Sequence, residues 1–116
     1  TEATLNKIRE DFKQSMILSK EVFGREAFRK VYYDYDRLPP INKALFDAIA
    51  VQFALINQEE RNTLKTKKNE FKKLLRERLN SDQYFFTSVT SSTGDKNRVI
   101  KRHEVVAALI NETIHQ

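Results

Sequence analysis

The chain has 116 residues, 40% hydrophobic and 32% charged, with two glycines, two prolines, no cysteine and a net charge of +5. A chain of this length is one domain that can bury about two-thirds of its unfolded surface, so it needs no covalent staple. Disulfide frameworks, zinc ribbons and cysteine nucleophiles are excluded because each needs a thiolate, and two glycines are too few for a glycine-rich phosphate loop.

The positive charge is unevenly placed. Residues 1–60 carry nine Lys or Arg against ten Asp or Glu, and residues 61–116 carry twelve against six, so the halves stand at −1 and +6. A one-sided positive field raises the local concentration of polyanions, although the same charge also serves solubility. No apolar run follows a basic start, so no signal peptide is read. The chain opens with Thr1 directly into helical periodicity, and the expectation is a single helical domain over residues 1–116, cut from a longer, cytoplasmic protein.

Leu5, Ile8 and Phe12 recur at three- and four-residue spacing and continue through Met16 to Val22 and Phe23, which predicts a helix over about 3–22. Gly24 stands where a left-handed C-terminal cap belongs. A short helix is expected over Arg25–Val31, followed by Tyr32, Tyr33 and Tyr35 alternating with Asp34 and Asp36, and then by Pro39-Pro40, which permits a new helix to begin. Ile41–Asn57 is the most apolar stretch, with only Asp47 and Gln52 polar between Ala44 and Ile56. A helix apolar all round is a buried centre or a membrane span, and this one is too short and too interrupted by Asp47 to cross a bilayer, so it is read as the central core helix. Asn57 and Glu60 have capping-box spacing for the next helix.

Residues 59–79 read as one long amphipathic helix with Leu64, Phe71, Leu74 and Leu75 inward. Asp82–Val89 carries the aromatic cluster Tyr84, Phe85 and Phe86, and Thr87–Gly94 has the turn chemistry of a loop. A final helix from near Asp95 directs Val99, Val106, Leu109 and Ile110 or Ile114 inward. The β-like runs Lys30–Tyr35 and Tyr84–Thr90 are short, so the fold class is all-α, a bundle of about four long and two short helices.

Two basic constellations stand out. Arg61, Lys65, Lys68, Lys72 and Arg76 align as a stripe about five turns long that could track a phosphate backbone. The stripe borders the apolar face, with Lys67 and Arg78 on the other border, where long side chains also cover a core while keeping their charge in water. Lys96, Arg98, Lys101 and Arg102 follow Ser92-Thr93-Gly94-Asp95, and a helix start capped by Ser92 or Thr93 would offer free N–H groups and cations to an anion. Ser92 with Asp95 is equally a plain capping-box variant. His103 and His115 lack partners at ligand spacing, Glu104 and Glu112 do not form the paired Glu-x-x-His pattern of a di-iron bundle, and Asp34 with Asp36 reads as a solvated pair, so no metal, cofactor or catalytic residue is assigned.

Phe23-Gly24 with Ala27-Phe28-Arg29, then Arg37 with Ile41-Asn42-Lys43-Ala44-Leu45-Phe46-Asp47-Ala48-Ile49, then Ser92-Thr93-Gly94-Asp95 leading into Arg98-Val99 and Arg102, resemble the helical C-terminal part of the GmrSD-type restriction family. The resemblance covers about residues 10–110 and rests on helix-core and cap residues. It implies bacterial defence against modified phage DNA, with nucleotide hydrolysis and DNA cleavage in other domains. The family's Asp-Gly-Gln-Gln-Arg type motif of its ParB/sulfiredoxin-like N-terminal domain is absent from this chain, as is any His-Asn-His nuclease set. The expected function is a helical accessory domain that supports an N-terminal catalytic domain of the same parent and contacts DNA through Arg61, Lys65, Lys68, Lys72, Arg76, Lys96, Arg98, Lys101 and Arg102. The alternative is a protein-interaction or scaffold bundle without a nucleic-acid role, with an exposed apolar patch around Tyr32–Tyr35 or Tyr84–Phe86.

Overall fold

The computed structural model describes residues 1–24 and 42–116. Among these the chain forms six helices and no strand: α1 (Glu2–Phe23), α2 (Lys43–Leu55), α3 (Gln58–Thr66), α4 (Lys68–Ser81), α5 (Gln83–Thr90) and α6 (Lys96–Ile114). The all-α bundle expected from the periodicity is what forms. The short helix expected over Arg25–Val31, the Tyr32–Asp36 segment and the double proline lie outside the described residues.

Side-chain caps set most helix starts. Thr1, Asn42, Asn57, Asp82 and Asp95 each accept a backbone N–H from the first turn that follows, a contact worth about 1 kcal/mol where it replaces an orphan donor. The Asn57–Glu60 capping box forms as its spacing predicts, with Glu60 N–H donating to Asn57 Oδ1 at 2.8 Å and Asn57 N–H to Glu60 Oε1 at 3.0 Å. Gly24 ends α1 with φ +56° and ψ −130°. Its φ is positive as expected, but ψ falls outside the left-handed helical well, in backbone space that only glycine enters cheaply.

Three boundaries differ from the sequence reading. The long helix expected over 59–79 is two helices that meet at Lys67, whose φ of −101° and ψ of 25° bend the axis while its N–H still reaches Thr63 O at 3.0 Å. Lys67 Nζ donates to the Ile114 carbonyl at 3.4 Å, so the bend sits against the last turn of α6. Tyr84–Thr90 is neither strand-like nor loop but lies within α5, started by Asp82 Oδ1 accepting from Phe85 N–H at 3.1 Å. Final-helix capping falls to Asp95 rather than to Ser92 or Thr93.

The core gathers Leu18, Val22 and Phe23 of α1, Leu45, Ile49 and Phe53 of α2, and Leu64, Phe71, Leu75 and Leu79 of α3 and α4, with Phe85, Val106, Leu109 and Ile110 closing the other side. Phe71 lies at its centre, edge-on to Phe23 at 6.3 Å and tilted against Phe53 at 5.6 Å between ring centroids, distances at which aromatic rings attract beyond their buried area. Ser15 and Ser19 are buried where α1 meets α2. Their small side chains permit close approach, and the Ser15 hydroxyl donates to the Ala50 carbonyl across the contact.

Candidate functional site

Two surfaces emerge from this packing, one apolar and one basic. The apolar one arises because α1 is only half used. Its buried residues begin at Ser15, while Leu5, Ile8 and Phe12 are 54%, 59% and 60% exposed. The same three-and-four spacing that docks Ser15, Ser19 and Val22 onto the bundle therefore continues toward the N-terminus with nothing described against it. Beside it, α2 is not buried all round as its composition predicts, for Val51 is 47% and Leu55 72% exposed. Between the two helices runs an open groove of about 510 Å³, lined by Phe12, Met16, Phe46, Asp47, Ala50, Val51, Ala54 and Leu55. The two helices are electrically balanced as a whole, α1 carrying four basic and four acidic side chains and α2 one of each.

The sequence-predicted basic residues divide into those the fold consumes and those it leaves outside. Arg61 is consumed: it is 4% exposed, its Nε donates to Phe53 O at 2.9 Å, and its terminal nitrogens reach Ala54 O, Gln58 Oε1 and Asp11 Oδ1. The C-terminal carbonyls of α2 have no intrahelical partners, and this guanidinium satisfies two of them while tying α1 to α3. Arg61 is thus removed from the expected phosphate-contacting stripe. Hydrogen bonds from Lys7 and then Arg61 hold the Asp11 carboxyl below the usual carboxylate range.

The second basic constellation is corrected in the same way. Arg102 is buried and donates to Ser88 O at 3.1 Å and Thr93 O at 2.7 Å, clamping the α5–α6 connection. Arg98 donates to the Ser91 carbonyl, and Lys101 pairs with Asp82 at 3.5 Å. The Asp82 carboxyl is lowered first by the Phe85 N–H that it caps, and further by Arg78 and Lys101. Asp95 puts its own carboxylate on the N–H groups of Asn97 and Arg98, so the start of α6 already holds an anion. The hollow of about 770 Å³ beside Tyr84, Arg98 and Lys101 is therefore lined by cations already turned to the chain's own acceptors. Of this group Lys96 alone is exposed without such a partner among the described residues.

Lys65, Lys68, Lys72 and Arg76 remain. Lys65 is exposed and the other three half-buried along their stems, and none makes an ion pair among the described residues. Tyr84 and Phe86 are 81% and 43% exposed, as the interaction reading expects, while the Tyr32–Tyr35 patch lies outside the described residues. Among the described residues no cluster of three His, Cys, Asp or Glu could hold a metal ion. No described helix is long and apolar enough to cross a membrane.

No family model matches the chain, and no curated protein or solved structure does either.

Sequence reasoning missed the carbonyl-capping role of Arg61 and the half-open groove. The groove left a signal in the all-round apolarity of α2, which demands more contact than one bundle face supplies. The pairing of Arg61 with Asp11, fifty residues apart, left none.

Proposed function

We propose that this chain is a non-catalytic helical docking domain that seats an amphipathic helix of a neighbouring folded domain in the α1–α2 groove. The carrying observation is the exposure of Phe12, Val51 and Leu55 on the walls of one groove, with Leu5 and Ile8 exposed further along the same stripe of α1, since exposed apolar side chains grouped in this way mark interaction sites. A lining of large apolar side chains and two alanines suits a helix carrying apolar residues at i, i+3, i+4 and i+7. The balanced charge of α1 and α2 selects an uncharged partner face rather than an acidic or basic one. In the setting that the GmrSD-type resemblance supplies, the partner is the N-terminal catalytic domain of the same parent protein, and this chain is its accessory domain.

A hydrophobic reporter dye tests the reading. The chain is expected to enhance dye fluorescence, and the combined variant Leu5→Gln, Phe12→Gln and Leu55→Gln to lose at least about half of that enhancement with an unchanged thermal midpoint, because isolated surface changes usually stay within about 0.5 kcal/mol. A parent chain that leaves the dye dark, or a variant that unfolds, overturns it.

A further inference from the structure

The geometry points to a second, independent surface: Lys65, Lys68, Lys72 and Arg76 form a sequence-indifferent binding track for the phosphate backbone of duplex nucleic acid. The docking role leaves these residues unused. Lys7, Lys43, Lys101 and, at the end of α4, Arg78 each pair with a nearby aspartate. Among the described residues Lys65, Lys68, Lys72 and Arg76 do not. Along α4, at 100° per residue, Lys68, Lys72 and Arg76 fall within an arc of about 80°, while Glu70 and Glu77 lie about 100° or more from any of them, and Lys65 precedes them on α3. Glu21 of α1 stands across a shallow hollow from Lys65 and makes no ion pair with it. The charge is thus segregated rather than balanced, and α4 itself carries five basic side chains against two acidic ones.

The shape of the track selects the ligand. From Lys65 to Arg76 the helices rise about 16 Å, with roughly one cation per turn, which matches a run of about five base-pair steps on one strand of a duplex. No exposed aromatic side chain lies on α3 or α4, so there is no platform for unstacked bases, and the contact is to backbone alone. A membrane surface fits less well. A helix lying in a bilayer interface needs an exposed apolar face beside its charges, and Phe71, Leu75 and Leu79 of α4 are spent in the core. The half-buried stems of Lys68, Lys72 and Arg76 also lose little freedom on binding, because packing already restrains them.

Fluorescence anisotropy of the whole chain with a labelled duplex of about 20 base pairs decides the matter. Four phosphate contacts give an expected affinity loss of about 100-fold between 50 and 200 mM salt. Replacing Lys65, Lys68, Lys72 and Arg76 with Gln is expected to weaken binding at least about tenfold at 50 mM salt. A charge-matched control, with Arg9, Lys13, Lys20 and Lys43 replaced by Gln, is expected to stay within about threefold of the parent. Circular-dichroism melting confirms that both variants fold. Absence of binding at 50 mM salt overturns the proposal, as does equal weakening by both variants. Binding of anionic phospholipid vesicles or poly-glutamate as tightly as the duplex overturns the assignment to nucleic acid.

Discussion

The α1–α2 face and the α3–α4 face are built from the same device, an amphipathic helix on a shared core, yet they present opposite chemistry to their surroundings. On α1 and α2 the charges cancel and large apolar side chains stay outside. On α4 the apolar side chains are buried and uncompensated cations stay outside. The difference teaches that composition alone misleads about exposure: Phe12 is apolar and exposed, while Arg61 is charged and buried. What decides is whether a neighbouring element offers a surface or an acceptor at that height along the helix.

The largest effect that sharpens this contrast uses one residue type in two places. Phe53 is fully buried against Phe71, and Phe53→Ala is expected to cost about 4 kcal/mol through lost transfer energy and a residual cavity. Phe12→Ala, at a site 60% exposed, is expected to fall within about 0.5 kcal/mol. Urea denaturation reads both, and comparable losses would mean that the α1–α2 face already has a cover within this chain.

A smaller effect separates the two kinds of cation. Arg61→Met leaves the Phe53 and Ala54 carbonyls without their donor and is expected to cost roughly 3 kcal/mol, whereas Lys72→Met should stay near zero. A mild Arg61→Met would show that water satisfies those carbonyls and that the arginine belongs with the outward stripe after all.

The helical stretches of α1, α2, α3–α4 and α6 were legible because their cues are local: apolar periodicity, a cap residue and a polar join all lie within a few positions of one another. The break at Lys67 and the helical state of Gln83–Thr90 were not legible. The Asn57–Glu60 box and the buried set Leu64, Phe71 and Leu75 formed as their spacing dictates. The surfaces were legible only in part. The wheel placed Arg61 in line with Lys65, Lys68, Lys72 and Arg76, but it carried no information about the carbonyls ending α2 or about Asp11 on a different helix. Likewise Ser92 and Asp95 are both competent caps in sequence, and the choice fell to the turn geometry, in which Ser92 takes a positive φ of 46° and Asp95 an extended backbone.

The smallest expected effect lies where α2 of the apolar region packs against α6. Gln52 of α2 and His103 of α6 meet at 3.0 Å between Gln52 Nε2 and His103 Nδ1. The amide nitrogen is a donor, so the ring accepts at Nδ1 and carries its proton on Nε2. A proton added at Nδ1 would break that bond, and burial, followed by the adjacent Arg102 cation, lowers the His103 pKa below its ordinary 6.5. Because the folded value lies below the unfolded one, the folded state binds fewer protons than the unfolded state as pH falls below 6.5. Stability is therefore full above about 6.5 and declines as pH drops through the lowered folded value. Thermal midpoints from pH 8 to 5 are expected to fall in the parent and to stay flatter in His103→Gln, whose amide can still meet Gln52. Identical slopes in the two proteins would show that the α2–α6 contact does not sense protons.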